Sequence, residues 1–295
     1  MKSLPVFFSP RMVAPSQSFS PSAEKPAQVV ASWRRLGVPL QFHEPAAASA
    51  GQLSLAHQGD FVREVLACER ENGFGNRSAA VAASLPFTTG AMLGAARHAW
   101  LKGGAAVAPC SGFHHAQWAA AGGFCTFNGL MVTAAVLHAE GARAVGILDL
   151  DHHWGDGTQD IIDRLDASSW VEHFSAGLTY SRPSQAADFF KRLPGVLAGF
   201  QRCDVVLYQA GADPHVEDPL GGWLTTTQLR ERDALVFEAF LRLGVPVAWN
   251  LAGGYQRDAA GGILKVLQIH DNTMRECARV FLPGQAVADS AAAQR

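Results

Sequence analysis

Eight consecutive residues, Asp149-Leu150-Asp151-His152-His153-Trp154-Gly155-Asp156, hold three aspartates and two histidines directly after the apolar run Ala144–Leu148. In an extended chain, residues two apart point to the same side. Asp151 and His153 therefore project together, as does Asp149, and a carboxylate and an imidazole at one strand end can share a metal ion. The bland alternative is a solvated loop, with Asp156 capping the helix that follows Gly157. Burying several ionisable groups together is costly unless they pair or bind metal, and that cost favours a site. Asp213 is the natural third ligand. It follows the apolar run Val205–Gln209 and the flexible Gly211, although alone it would read as a turn residue before Pro214. Two carboxylates and one histidine leave a coordination position open, as catalytic zinc sites do. The oxygen-rich set also suits Fe(II) or Co(II).

His114 and His115 follow Ser111-Gly112-Phe113. A lone histidine is more often a satisfied structural residue, but a tandem pair near a metal supplies a base for water and an acid for a leaving group. Each ring needs a partner to fix its tautomer. Asp149 and Asp156 are the two spare carboxylates, so two His–Asp pairs can form, Asp149 buried beside a metal ligand and Asp156 nearer the rim. Gly253-Gly254-Tyr255 places one of only three tyrosines after paired glycines. Its phenol can donate to a developing oxyanion or serve equally well as a rim aromatic. Gly122-Gly123-Phe124-Cys125 reads as a tight turn with a core phenylalanine.

These groups need a scaffold that brings distant segments together. Helix-like spacing covers 25–36, 60–70 and 88–100, and Asn128 can cap a helix that ends at Gly141. Further helices are expected over 157–165, 185–200, 226–243 and 258–280. Strands are expected over 105–108, 144–150, 170–174, 203–209 and 246–251. These strands are continuous apolar runs, the pattern of a parallel sheet covered on both faces. The fold class is thus α/β with a mostly parallel sheet. In such sheets functional groups gather at the carboxyl ends of strands, so the clusters at 111–115, 149–156, 211–215 and 253–255 would meet on one rim. Residues 1–23 and 284–295 read as loop or frayed ends of a single 295-residue domain.

Composition narrows the functional classes. With 24 basic and 26 acidic residues the chain has a formal charge of −2, which gives no stripe for nucleic acid and no polybasic membrane patch. No apolar run is expected to reach the about 20 residues that span a bilayer. The N-terminal stretch lacks the long apolar region of a secretory signal. Five dispersed cysteines without CxxC spacing fit reduced thiols. A cytoplasmic protein is expected.

Six motifs in this order, HHA (114–116), GGFCTFNG (122–129), DLDHHWGDGTQD (149–160), GAD (211–213), DPLGG (218–222) and GGY (253–255), make the chain resemble the histone deacetylase superfamily. That group includes bacterial acetylpolyamine amidohydrolases and acetoin-utilisation proteins, and the resemblance runs over roughly residues 20–280. It implies the arginase/deacetylase fold, with a central sheet of about eight strands, and one zinc ion on Asp151, His153 and Asp213. It further implies that Asp149 partners His114, that Asp156 partners His115, and that Tyr255 stabilises the oxyanion. Gly123 and Phe124 would line the acyl channel, with Gly253 and Gly254 beside it. A structural potassium ion near the backbone carbonyls of Asp149, Asp151 and His153 is implied as well. So is the removal of acetyl or a related acyl group from a lysine side chain or a polyamine by a protein that can form homo-oligomers. Another ester, thioester or amide hydrolase on the same fold, or a non-catalytic acyl-binding protein, is the alternative.

The sequence departs from the family pattern in places. Ser111 replaces a proline, Phe113 separates Gly112 from His114, His152 sits between two ligands, and Trp154 replaces a second histidine. Val171-Glu172-His173-Phe174 replaces a more usual run near the potassium site, and Gly177-Leu178-Thr179 lacks a second channel phenylalanine. The binuclear arginase branch would need a carboxylate at 155 and an aspartate at 211, where glycines stand. A polyamine substrate would favour acidic rim residues, for which Glu172, Glu217 and Asp218 are candidates.

Overall fold

The computed structural model describes residues 2–283; the tail expected to fray, 284–295, lies outside them. Seven strands form among the described residues, against the about eight implied: β1 (Leu4–Phe7), β2 (Leu40–His43), β3 (Ala105–Ala108), β4 (Val145–Asp149), β5 (Val171–Ser175), β6 (Val205–Gln209) and β7 (Val247–Asn250). All are parallel, in the order β2-β1-β3-β7-β6-β4-β5. The helices are α1 (Lys25–Trp33), α2 (Ala50–Leu53), α3 (Gly59–Leu66), α4 (Ala79–Lys102), α5 (Gly129–Ala139), α6 (Asp156–Arg164), α7 (Ala186–Gly199), α8 (Thr226–Leu243) and α9 (Leu264–Phe281).

Side-chain alternation explains why the central strands are apolar throughout. Val145 and Ile147 of β4 and Val205 and Leu207 of β6 enter the core under α3, α4, α5 and α6. Leu148, Val206 and Tyr208 enter the opposite core, under α1, α7, α8 and α9. Every residue of β3, β4, β6 and β7 is buried, as expected for strands covered on both faces. The edge strands β2 and β5 expose part of their length.

Three expectations need correction. The segment 1–23 is not all loop, because Leu4–Phe7 forms β1, paired with β2 and β3. Pro5 hides it from a propensity reading. Leu4 and Phe8 donate toward β2, to the carbonyls of Pro39 and His43, so the N–H that proline lacks belongs on the other side, where only Val6 pairs in register with Val107. The last helix begins at Leu264 rather than 258, since Asp258–Gly262 is a turn in which Asp258 accepts from the amides of Ala260 and Gly262. Finally, α4 is 24 residues long and apolar enough by length and composition to cross a membrane. It packs instead as a core helix. Its alanines and glycines allow close approach, and at Gly90 a Cβ would lie 1.9 Å from the Ala46 carbonyl oxygen.

Candidate active site

Strands β3, β7, β6 and β4 are consecutive neighbours in the sheet. The loops leaving their carboxyl ends carry the four polar clusters, so sheet order alone brings segments more than a hundred residues apart onto one rim.

Asp151 and His153 follow β4, and Asp213 follows β6. One potential ligand atom from each lies within 4.8 Å of the others. His153 Nδ1 is 3.1 Å from Asp213 Oδ2 and 3.4 Å from Asp151 Oδ1. Asp151 and Asp213 are completely buried, and backbone amides orient both. Gly253 N–H donates to Asp151 Oδ2 at 2.8 Å, His153 N–H to Asp151 Oδ1 at 3.0 Å, and His152 N–H to Asp213 Oδ1 at 3.2 Å. Burial and the adjacent Asp151 charge push Asp213 up to about 7. Burial would also lower the His153 imidazole, yet the two aspartates raise it to about 10. The pocket draws positive charge, and two carboxylates with an imidazole are a donor set that fits a divalent cation. His152 turns away from this group, its ring against Gly221.

The two histidines lie in the loop between β3 and α5. His114 Nδ1 lies 2.8 Å from Asp149 Oδ2, and His115 Nδ1 lies 2.5 Å from Asp156 Oδ1. The ring centroids are 4.1 Å apart. His114 Nε2 is 3.7 Å from Asp151 Oδ1, and the His115 ring lies 5.8 Å from that of His153. Burial opposes charge on His114, but Asp149 and Asp151 outweigh it and hold the ring at about 9. Burial and the neighbouring His114 charge push His115 the other way, below its usual value, despite Asp156.

Tyr255 follows β7 and is 8% exposed. Burial and the Asp213 and Asp151 charges keep its phenol well above its ordinary pKa, so it stays a proton donor at neutral pH. Phe124 stands beside it, ring centroids 5.5 Å apart. The glycines flanking these groups are required by space. A Cβ on Gly123 would lie 2.4 Å from His115 Cδ2, and one on Gly253 would lie 2.2 Å from Asp213 Oδ2. Gly254 backs onto Ala212 and Val266. At 155 a Cβ would meet Asp149 Oδ2 at 2.7 Å, and at 211 it would meet Asp213 Oδ1 at 2.7 Å. Carboxylates for a second metal have no room at either position.

Several residues that support this group escaped the sequence reading. Asp218 is not a rim acid. It is buried, and its Oδ2 accepts from Tyr255 N–H at 2.8 Å. Lys25, at the start of α1, is fully buried and donates to the carbonyls of Ala252 and Gly253 at 2.6 and 3.1 Å; burial lowers it to about 8. Arg232 of α8 reaches from below to the carbonyls of Leu150 and Gly211, joining the loops that carry Asp151 and Asp213. Gln209 Nε2 and Asp151 N–H both donate to Asp149 Oδ1. Only Asp218 had a signal, its place in the DPLGG motif. Lys25 and Arg232 look like ordinary helix-surface charges until the tertiary fold buries them. The other two rim candidates are no better placed: Glu217 pairs with Lys265 at 2.5 Å, and Glu172 lies near the amino end of β5, away from the rim.

The chain matches a family model described as the histone deacetylase domain over residues 21–180. It is 28% identical over 192 residues to acetylpolyamine amidohydrolase 1 of Pseudomonas aeruginosa, covering 55% of this chain and 54% of that protein. It is 24% identical over 279 residues to the acetoin utilization protein AcuC of Bacillus subtilis, covering 81% of this chain and 70% of that one. Among solved structures, the crystal structure of the HDA15 HD domain superposes with a TM-score of 0.74 at 19% identity, covering 95% of this chain and 90% of that one.

Proposed function

The chain belongs to the histone deacetylase family and has the arginase/deacetylase fold, and from that premise we propose that it is a zinc-dependent amidohydrolase that removes acetyl or a related acyl group from an amine. The observation that carries this reading is the convergence of two His–Asp pairs and a buried tyrosine on the Asp151–His153–Asp213 set. A hydrolase of linear amides needs a base, an acid and an oxyanion donor in one place, and these side chains supply all three.

Asp151, His153 and Asp213 would hold the zinc ion. When bound, that ion supplies a Lewis acid that polarises an acyl carbonyl and makes water more acidic. His115, tied through Nδ1 to Asp156, keeps Nε2 available to take a proton from water. His114, tied through Nδ1 to Asp149, holds its Nε2 proton beside the ligand set, where it favours negative charge and can protonate the departing amine. Tyr255 donates its phenol proton in a hydrogen bond to the oxygen that becomes negative. Asp218, by accepting the Tyr255 amide, holds the start of that segment in place. Gly123 lets His115 pack under the channel, and Phe124 forms part of the channel's apolar wall. The potassium ion on the carbonyls of Asp149, Asp151 and His153 belongs to the same proposal.

Relatives named acetylpolyamine amidohydrolases favour a small acylated amine as substrate. The three acidic rim candidates give no added support to a polycation, since none is a free carboxylate at the mouth. The test is hydrolysis of an acetyl-lysine peptide, an acetylpolyamine and a simple ester by the zinc-loaded protein, with and without a hydroxamate. Hydroxamate-sensitive amide cleavage is expected. Binding of the hydroxamate with no turnover of any amide would leave a binding protein and end the enzyme reading. Ester-only turnover would move the protein to another hydrolase class.

A further inference from the structure

The loop after β1 brings a second aromatic ring to the site from a part of the chain that the family motifs do not reach. The Phe19 ring is 59% exposed. A single exposed phenylalanine is ordinary, but this one belongs to a cluster. Its centroid is 5.2 Å from Phe124 at 90° and 6.4 Å from Tyr255 at 52°, and Phe74 closes on the other side of Phe124 at 6.0 Å.

The loop holding the ring is fastened. Arg257, two residues after Tyr255, donates through Nη2 and Nε to the Phe19 carbonyl at 2.9 and 3.3 Å, and through Nη1 to the Gly261 carbonyl at 2.8 Å. Within the loop, Ser16 Oγ donates to the Ser20 carbonyl and Ser20 Oγ to Ser22 Oγ, all three serines being buried. Asn76 donates to the Ser16 carbonyl. An apolar ring held on an ordered loop over the tyrosine, with more than half its surface in water, suits a ligand that covers it.

Across the mouth, positions 177 and 178 carry no ring, and the exposed aromatic beside them is Trp154, 41% exposed. Gly177 is packed so tightly against the backbone of His153 that a Cβ would lie 2.2 Å from its carbonyl carbon, and Leu178 beyond it is 65% exposed. The rings that cluster against Tyr255, those of Phe19, Phe124 and Phe74 behind it, lie on the Phe124 side.

We propose that Phe19 is a specificity-determining residue, the outer wall that grips the hydrocarbon stem of the acylated amine, and that Arg257 is the residue that positions it. The proposal rests on the amidohydrolase reading above and adds the contact that selects substrates with an unbranched apolar stem next to the scissile amide. Phe124 and Phe19, at right angles, present a face and an edge to the methylenes of such a stem.

The test uses the zinc-loaded full chain and two hydroxamates, acetohydroxamate, which has no stem, and octanohydroxamate, which has a long one. Phe19→Ala should weaken octanohydroxamate about 4- to 15-fold by calorimetry, the effect of uncovering one or two methylenes, and leave acetohydroxamate unchanged. Phe19→Tyr should keep wild-type affinity for both. Arg257→Ala should shift octanohydroxamate in the same direction by less. With an acetylated amine as substrate, both alanine variants should raise KM while kcat stays within about twofold, the pattern of lost uniform binding. Equal loss for the two hydroxamates, or no loss for either, overturns the role of Phe19. A wild-type protein that binds neither hydroxamate overturns the metal-site reading, and this proposal with it.

Discussion

The floor and the mouth of the site are built by different means. The floor consists of side chains at the ends of four adjacent central strands. Asp149, Asp151, Asp213 and His114 are almost wholly buried there, and each has its position fixed by at least one hydrogen bond. The mouth consists of loops, and it exposes Phe19, Trp154 and Leu178. The two His–Asp pairs show the gradient between them. In the inner pair the side chains of His114 and Asp149 are 5% and 1% exposed; in the outer pair those of His115 and Asp156 are 23% and 37% exposed. The same pairing is thus enclosed below and leaves a solvent-reachable ring above. Buried polar groups tolerate little error because each lost partner is unsatisfied at full cost, whereas loop residues at a mouth can change without disturbing the chemistry.

If that division holds, floor substitutions remove activity or metal and mouth substitutions alter selectivity. The largest effect belongs to Asp213→Ala, which should lose most bound metal by elemental analysis and reduce turnover by more than ~100-fold; full metal occupancy would contradict the ligand set. Tyr255→Phe should keep its metal and lower kcat by roughly 10²–10³, the usual loss for one oxyanion donor. Parent-rate turnover would remove the tyrosine from the mechanism.

Acid should loosen the loop that carries the two histidines. His57 is buried against the later part of that loop, accepting Asn128 N–H at Nε2 (2.8 Å) while Nδ1 lies 2.9 Å from the Gln117 carbonyl. Burial lowers its pKa to about 4. The unfolded chain then binds more protons between about 6.5 and about 4, so stability is full above the upper value and falls as pH drops through the window. The loss should reach about 3 kcal/mol at most. Denaturant titrations across this range should show the slope in the wild type and a flatter one in His57→Gln; equal slopes would mean that other groups carry the acid sensitivity.

The paired histidines can be compared directly. Asp149→Asn should lower kcat by about 100-fold and Asp156→Asn by about 10-fold, because Asp149 also accepts from Gln209 and the Asp151 amide. A reversed order in parallel kinetics would mean that burial does not rank these pairs. The smallest effect is expected from Leu178→Ala. Its side chain stands in solvent, so stability should change by less than ~0.5 kcal/mol, with kcat unchanged. A large drop in kcat would erase the boundary between floor and mouth.

Much of the floor is legible along the chain because its signals are local. The two-residue spacing of Asp151 and His153 points to a shared side, although both lie in the bend just beyond β4, and continuous apolar runs mark buried parallel strands that end where the chemistry begins. The elements that escaped notice are those whose meaning depends on distant partners. Strand β1 contains Pro5 and is defined by its neighbours. Strand β2 is a half-exposed edge whose four residues, Leu40–His43, carry no strong pattern.

The residue types and their spacing determined by themselves that a parallel α/β sheet would carry three potential metal ligands, two histidines with two spare aspartates, and a tyrosine near strand ends. Tertiary structure alone decided the strand order that makes β3, β7, β6 and β4 neighbours. It also decided the burial of Lys25 and Arg232 and the placement of Phe19 over Tyr255 by Arg257, 238 residues away. Periodicity reports which way a side chain points relative to its own backbone, whereas solvation and contact depend on segments that the chain closes over only after it folds.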